Sequence, residues 1–440
     1  MPYSHLLSTS IRLLMYTLVI LYSWFEESPK ILLSFMIVAN LSIIFKTHRC
    51  LPILLMFLFF STYIVNLIPF FFAGEYIFYY PPKDTFYEAL QIHSFFLFSL
   101  DIFTRPIRRR FFISDTLEQK KNWKAFIFLC ILFLFFLIFS IQGDTILQTG
   151  GYGQQGNTTS LGGFGMYFVI LLPLMYIYSG KEKRFKIIVI LLCLLMTLKM
   201  LLYGGRMIVL IMGLLIFMLY YDNEKKHLSI LKIILLALPI LYIFILLGAI
   251  RANPINALSS SWEDLLLLPF KENLTETLIE FFGNQNDIFY SSTVLTQTVV
   301  LDIFNMYDRL EIFFYNIISI ITPYSMLPDK ASLITYIQKN VAITGGGALV
   351  SSYAYFFLSF PGIIMIAYFI SFIVNNMQKS TNIPFKLYAI MILATFPSWF
   401  GYNIISLFKI SFYIIPLYFI TRLLFVKNEK KHTICRGTTT

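Results

Sequence analysis

The stretch LKMLLYGGRMIVLIMGLL, residues 198–215, decides the class of fold to which this chain belongs. It is part of a much longer apolar run, yet it contains the cations Lys199 and Arg206. Between them lie Gly204 and Gly205, and glycine tolerates the backbone angles that a tight reversal needs. The run is also long enough for two membrane-spanning helices. We therefore predict two helices joined by a glycine turn, with Arg206 at the start of the second.

The composition of the whole chain agrees with this assignment. Of its 440 residues, 58% are hydrophobic and only 13% are charged, whereas about a quarter of the residues in soluble domains are charged. Because helices satisfy their own backbone hydrogen bonds in lipid, we expect an all-α polytopic integral membrane protein with about twelve transmembrane helices. The four cysteines show no CxxC spacing, so no disulfide framework, metal site or cofactor is expected. The predicted spans are 11–26, 30–46, 51–73, 88–104, 125–142, 164–180, 186–203, 206–221, 228–249, 346–375, 387–405 and 408–426.

The charges of the connecting segments indicate the topology. RPIRRR (105–110), KEKRFK (181–186) and KNEKKH (427–432) are rich in Lys and Arg, whereas GDTILQTGGYGQQGNTTSLGGFG (143–165) has neither. Cytoplasmic connections carry an excess of Lys and Arg, so the first set is cytoplasmic and both termini face the cytoplasm. This bias also accounts for the net charge of +11, so membrane lipids rather than nucleic acid are the expected partners.

One connection is much longer than the others and lies on the outer side. It covers residues 251–345 and separates an N-terminal membrane bundle, 1–250, from C-terminal membrane helices and a tail, 346–440. It holds ten acids and five cations, and we expect it to be partly helical, with Gly283 ending one helix and another covering about 292–321. That helix is expected to lie along the outer membrane surface. Its apolar stripe comprises Ile303, Tyr307, Leu310 and Phe314, and its polar side comprises Asp302, Asn305, Arg309 and Asn316.

Four cations violate the cytoplasmic bias. The predicted spans place Lys199, Arg206, Arg251 and Lys409 near the outer ends of helices, where cations are statistically disfavoured. Each can be an interfacial anchor or an ion-pair partner for the acidic loop. The alternative is an anion site at membrane depth that is open to the outer leaflet, because the arginine fork makes paired hydrogen bonds to phosphate oxygens.

The outer loop also offers carboxylates that complement such an anion site. Asp308 and Glu311 flank Arg309 on the predicted helix. A sugar hydroxyl that acts as a nucleophile needs a base within hydrogen-bond reach, and either acid has the right chemistry. Each is otherwise a solvated surface charge.

Four stretches resemble a known family. They are LLYGGRMIVLIMGLLIF (201–217), LLGAIRANP (246–254), ITPYSMLPDKAS (321–332) and GGGALVSSYAYFFLSFPG (345–362). Together they are similar to the Wzy-type polymerases of bacterial surface polysaccharides, also called O-antigen or oligosaccharide repeat-unit polymerases. Many members carry an acid in the last stretch, where this chain has Tyr353.

The resemblance implies a GT-C-like, metal-independent glycosyltransferase in the bacterial inner membrane, with its active site facing the periplasm. Such an enzyme transfers the growing glycan from its undecaprenyl pyrophosphate to a hydroxyl of the incoming lipid-linked repeat unit, and a chain-length regulator is the expected partner. Carried over by position, Arg206 and Arg251 would hold the donor pyrophosphate, and Asp308 would accept the proton. The implied substrate-binding residues are Lys199, Arg309, Glu311, Tyr353 and Lys409.

Two other functions fit parts of the same pattern. O-antigen ligases share the glycine and arginine turn but typically also have a loop histidine, and residues 251–345 contain no histidine. A lipid-linked-oligosaccharide flippase would also have about twelve spans, but such transporters place their charges in a central cavity and rarely carry a long structured outer loop.

Overall fold

The computed structural model describes residues 2–74, 84–117, 119–139, 168–202, 206–221, 274–323, 326–342, 344 and 346–425. Every regular element within these ranges is helical, as predicted. Span 228–249, the glycine turn at Gly204 and Gly205, and Arg251 lie outside the described residues. The helices in chain order are α1 (Pro2–Phe25), α2 (Pro29–Thr47), α3 (Leu51–Val65), α4 (Phe86–Phe103), α5 (Trp123–Phe139), α6 (Leu171–Ser179), α7 (Lys183–Leu202), α8 (Arg206–Ile216), α9 (Leu274–Val300), α10 (Met306–Ser319), α11 (Leu333–Asn340), α12 (Val350–Asn376), α13 (Ile383–Ala394), α14 (Phe396–Gly401) and α15 (Ile405–Phe425).

Four helices in the described ranges are long and apolar enough to cross a membrane. They are Pro29–Thr47, Leu51–Phe72, Val350–Asn376 and Ile405–Phe425. Other predicted spans form shorter apolar helices, including Trp123–Ile138 and Met207–Tyr220. The chain is therefore a helical protein with membrane-spanning helices.

The chain divides into two compact units. The first comprises Met1–Phe111, Ile279–Thr381 and Thr395–Lys409. The second comprises Phe112–Leu278, Asn382–Ala394 and Ile410–Thr440.

Helix α4 forms the centre of the first unit, where it packs against α1, α2 and α12. It holds Asp101, which is completely buried. Lys46 on α2 donates to one oxygen of this carboxylate at 2.7 Å. On α1, Arg12 and Tyr16 donate to the other oxygen at 3.3 and 3.0 Å. Three helices are thus joined through one buried acid.

Helix α12 is broken in its first half. Leu358 and Ser359 leave helical geometry, and Ser359 has a φ of 55°, which L-residues rarely adopt. Pro361 lies in the first turn after the break, where a backbone N–H would have no hydrogen-bond acceptor within the helix, so its absence in proline costs nothing. The break brings the Phe360 ring to 5.3 Å from the Tyr355 ring and 5.2 Å from the Phe95 ring, both measured between centroids. An aromatic cluster therefore surrounds the break.

The single helix expected over about 292–321 is wrong. Helix α9 ends at Val300 and α10 begins at Met306. Between them Asp302 has a φ of 51°, and the Asn305 side chain accepts a hydrogen bond from the Asp308 backbone N–H at 3.0 Å. Asn305 is thus the N-cap of α10, and this cap favours the start of a new helix over the continuation of α9.

The expected helix end at Gly283 is also wrong, because α9 continues through this residue. A glycine inside a helix costs about 1 kcal/mol relative to alanine. The following turns bury Phe289, Val294 and Leu295, and burial of such side chains contributes about 1.5–3 kcal/mol each. Tertiary packing therefore outweighs the local preference of the glycine.

Helix α10 has its polar side turned inward. Arg309, Asn316 and Ser319 are buried, whereas Tyr307 and Phe314 from the predicted apolar stripe are 76% and 59% exposed. Within α10 the sequence correctly separates Arg309 and Asn316 from Tyr307 and Phe314, whereas Asp302, Ile303 and Asn305 precede the helix and are all exposed. An outward apolar side is the arrangement expected of a helix that faces lipid rather than water.

In the second unit, α5 packs against α6 and α7, and α8 packs against α7 and α13. Helix α8 begins at Arg206, which confirms the helix start predicted there. The Asn122 side chain caps α5 by accepting a hydrogen bond from the Ala125 N–H at 3.1 Å. Helices α7 and α8 thus flank the predicted glycine turn.

Candidate functional site

Lys199 and Arg206 belong to the second unit. The Lys199 ammonium donates to the backbone carbonyl of Leu137 and, at 3.4 Å, to that of Ile138, near the C-terminal end of α5. The C-terminus of a helix carries partial negative charge, so a cation is stabilised there. Lys199 therefore has a structural role as an anchor between α7 and α5.

Lys409 and Tyr353 belong to the first unit. Lys409 is half-buried near the start of α15. Tyr353 is 4% exposed, and its hydroxyl donates to the backbone carbonyl of Tyr402 at 2.9 Å, which ties α12 to the end of α14. The phenol of Tyr353 thus holds two helices together.

Glu311 on α10 is partly exposed and belongs to a local network of hydrogen bonds. It forms an ion pair with Lys330, and the Tyr315 hydroxyl donates to its other oxygen at 2.8 Å. These hydrogen bonds lower the pKa of Glu311 and raise the pKa values of Lys330 and Tyr315. A carboxylate held this way is a weak proton acceptor, so Glu311 is poorly suited to act as a base.

Asp308 lies in the first turn of α10, directly after the N-cap Asn305. An acid in this position is stabilised by the partial positive charge of the helix N-terminus. Asp308 also interacts electrostatically with Lys330. The position of Asp308 is therefore explained by its contribution to the stability of α10.

Arg309 is the exceptional residue of this helix. Its side chain is only 8% exposed, and its Nε and Nη1 have no hydrogen-bond partner among the described residues. Its Nη2 lies 2.9 Å from the Met306 sulfur, which is a weak acceptor. A guanidinium stays charged in proteins, and a buried charge without a partner is costly. Arg309 is therefore a buried cation with two nitrogens, Nε and Nη1, that have no partner among the described residues and can donate to an anion.

Two residues that sequence reasoning missed are linked to Arg309 through electrostatic interactions. The phenol of Tyr355 on α12 interacts electrostatically with both Arg309 and Glu88. Glu88 lies in the first turn of α4, and its Oε2 is buried without a partner among the described residues. No ion pair joins Glu88 to Arg309 within the described ranges. An unpaired cation and an unpaired acid thus act on the same phenol.

Sequence signals for this arrangement were weak. Glu88 is a single acid at the beginning of a predicted span, and Tyr355 is one of several aromatic residues in SSYAYFF, 351–357. Their approach to Arg309 depends on the packing of α12 against both α4 and α10. The sequence alone does not show this packing, so it could not predict that Tyr355 interacts with Glu88 and Arg309.

The fold and these residues define a helical membrane protein with a buried guanidinium that has no ion-pair partner among the described residues and that interacts with the phenol of Tyr355. Among the described residues, no group of three or more His, Cys, Asp or Glu side chains is arranged to hold a metal ion. No protein-family model matches the sequence, and neither a curated protein nor a solved structure matches it significantly.

Proposed function

We propose that this protein is a glycosyltransferase that polymerises undecaprenyl-pyrophosphate-linked oligosaccharide repeat units into O-antigen or a related surface polysaccharide. The proposal is supported chiefly by Arg309, whose buried guanidinium has two nitrogens without a hydrogen-bond partner in the described part of the chain. Pyrophosphate oxygens match the planar fork of arginine in charge and geometry. The membrane-spanning helices fit a substrate whose carrier is a lipid. The sequence resemblance to Wzy-type polymerases supports the same reaction.

In the proposed reaction, the growing glycan leaves its lipid pyrophosphate and is transferred to a hydroxyl of the incoming repeat unit. Arg309 binds the donor pyrophosphate and stabilises the charge that develops on it as the glycosidic bond breaks. The donor-binding role that the resemblance implies for Arg206 and Arg251 stays a prediction from the sequence. The proposal includes about twelve spans in a GT-C-like arrangement, cytoplasmic termini, a periplasmic active site in the bacterial inner membrane and a chain-length regulator as partner.

Deletion of the gene distinguishes this function from its two alternatives. A lipopolysaccharide gel of cells that lack a polymerase should show a single repeat unit on the core. Loss of a ligase should leave bare core, and loss of a flippase should also remove the surface repeats. A normal ladder in the deletion strain would overturn the proposal.

Substitution of Arg309 tests the observation on which the proposal depends. Arg309→Gln should abolish the ladder, and Arg309→Lys should restore little of it, because a point charge cannot reproduce paired contacts. Lys339→Gln is the matched control, since this exposed cation lies on α11 of the same loop. A normal ladder in Arg309→Gln, at normal protein abundance, would exclude Arg309 from the donor site.

A further inference from the structure

We propose that Glu88 is the base that accepts a proton from the acceptor hydroxyl, a role that rests on the proposed glycosyl transfer. Its carboxylate oxygen Oε2 is buried and unpaired among the described residues. Burial without a hydrogen-bond donor leaves the lone pairs of an acid available to a substrate hydroxyl. Glu88 is thus chemically suited to remove a proton.

Arg309 and Glu88 can serve two different parts of a glycosyl transfer, namely binding of the leaving pyrophosphate and removal of the acceptor proton. Both groups act on Tyr355, yet they do not pair with each other. Helix α4 supplies the acid, α10 supplies the cation, and α12 packs against both. In the proposed arrangement Arg309 binds the donor phosphate and Glu88 binds the acceptor hydroxyl, and Tyr355 interacts electrostatically with both residues.

Glu88 also fits this role better than the two acids of α10. Glu311 is held by Lys330 and Tyr315, which lower its pKa and occupy its oxygens. Asp308 lies in the first turn of α10, as Glu88 does in α4, so burial of a carboxylate oxygen rather than position in the helix separates these two acids. Among these three acids, only Glu88 has an oxygen that is buried and unpaired in the described part of the chain.

The acceptor oxygen forms a bond to the anomeric carbon of the donor glycan as its proton moves to Glu88. The bond between that carbon and the pyrophosphate oxygen breaks, and its electron pair stays on the pyrophosphate beside Arg309. The products are the extended glycan on the acceptor lipid and free undecaprenyl pyrophosphate. Glu88 then releases the proton to water.

The test compares Glu88→Gln with the wild-type protein in purified form. The substrate is lipid-linked repeat unit extracted from cells that lack the protein, and donor-site binding is measured with undecaprenyl pyrophosphate. Loss of a general base typically lowers a rate by about 10²- to 10⁴-fold, so kcat should fall within this range. Binding of undecaprenyl pyrophosphate and the melting temperature should stay near the wild-type values. Asp84→Asn removes an exposed acid just before α4 and is the matched control, with unchanged kcat.

The outcomes separate failure of this proposal from failure of the proposed function. A Glu88→Gln protein whose kcat lies within threefold of the wild-type value would overturn the role of Glu88, while leaving polymerisation by the wild type intact. A parallel loss of binding and melting temperature would overturn it too, because it would show a structural role. If the wild-type protein extends no glycan and binds no undecaprenyl pyrophosphate, the proposed function itself fails.

Discussion

Replacement of Asp101 by asparagine should strongly destabilise the first unit. The carboxylate is completely buried and receives hydrogen bonds from Lys46, Arg12 and Tyr16. Asparagine keeps the shape and still accepts a hydrogen bond from Tyr16, but it removes the only negative charge of this cluster. Lys46, which is 8% exposed, would then be a buried cation without a counter-charge.

The size of the effect follows from the geometry. At an effective dielectric constant of about 20, two unit charges separated by 2.7 Å attract each other by roughly 6 kcal/mol. Desolvation offsets part of this attraction, and removing one partner of a buried ion pair typically costs about 3–5 kcal/mol. We expect the free energy of unfolding to fall by a similar amount.

Unfolding by SDS in mixed micelles provides the assay. Lys46→Met in the Asp101→Asn background should recover much of the loss, because it removes the uncompensated cation and keeps an apolar stem. The double-mutant cycle then gives a large coupling energy between the two residues. A loss below about 1 kcal/mol in Asp101→Asn, or simple additivity of the two substitutions, would refute the reasoning.

Three further predictions concern the first unit. Lys330→Met should lower the free energy of unfolding at neutral pH, because it removes the ion pair with Glu311. The difference from the wild type should persist up to the raised pKa of Lys330, and it should vanish in acid as Glu311 becomes protonated at a pH below its ordinary pKa of 4.5. Unfolding curves measured over a series of pH values check both limits. Gly347→Ala should cost about 1–3 kcal/mol, because its Cβ would lie 2.8 Å from the Tyr402 carbonyl oxygen; an unchanged unfolding curve would contradict this close approach. Ser359→Gly should raise the free energy of unfolding by about 1 kcal/mol by relieving its positive φ, whereas Ser359→Ala should not.

Hydrophobic length was sufficient to predict the helical class and several helix ends. Helix α8 begins at Arg206, where the glycine pair predicted a new helix. These signals are local, since they depend on residues that are close together in the chain. The count of about twelve spans stays a prediction, because only four helices in the described ranges meet the length and hydropathy of a span.

The errors came from places where tertiary contacts or side-chain caps override local preference. Gly283 does not end α9, because the turns after it are buried. The break at Asp302 and Asn305 depends on a side-chain cap that the apolar periodicity of 292–321 concealed. The interactions of Tyr355 with Glu88 and Arg309 depend on three helices that are far apart in the sequence, so no spacing rule predicted them.

The inward polar side of α10 has a practical consequence for handling the protein. If the loop helices were produced alone in water, Tyr307, Phe314 and Ile321 would be solvated, because these side chains are already exposed in the folded chain. Arg309 would at the same time lose the packing that now buries it. Such a fragment would self-associate through its apolar side, so antibodies or inhibitors against this loop should be selected with the full-length protein in a lipid nanodisc.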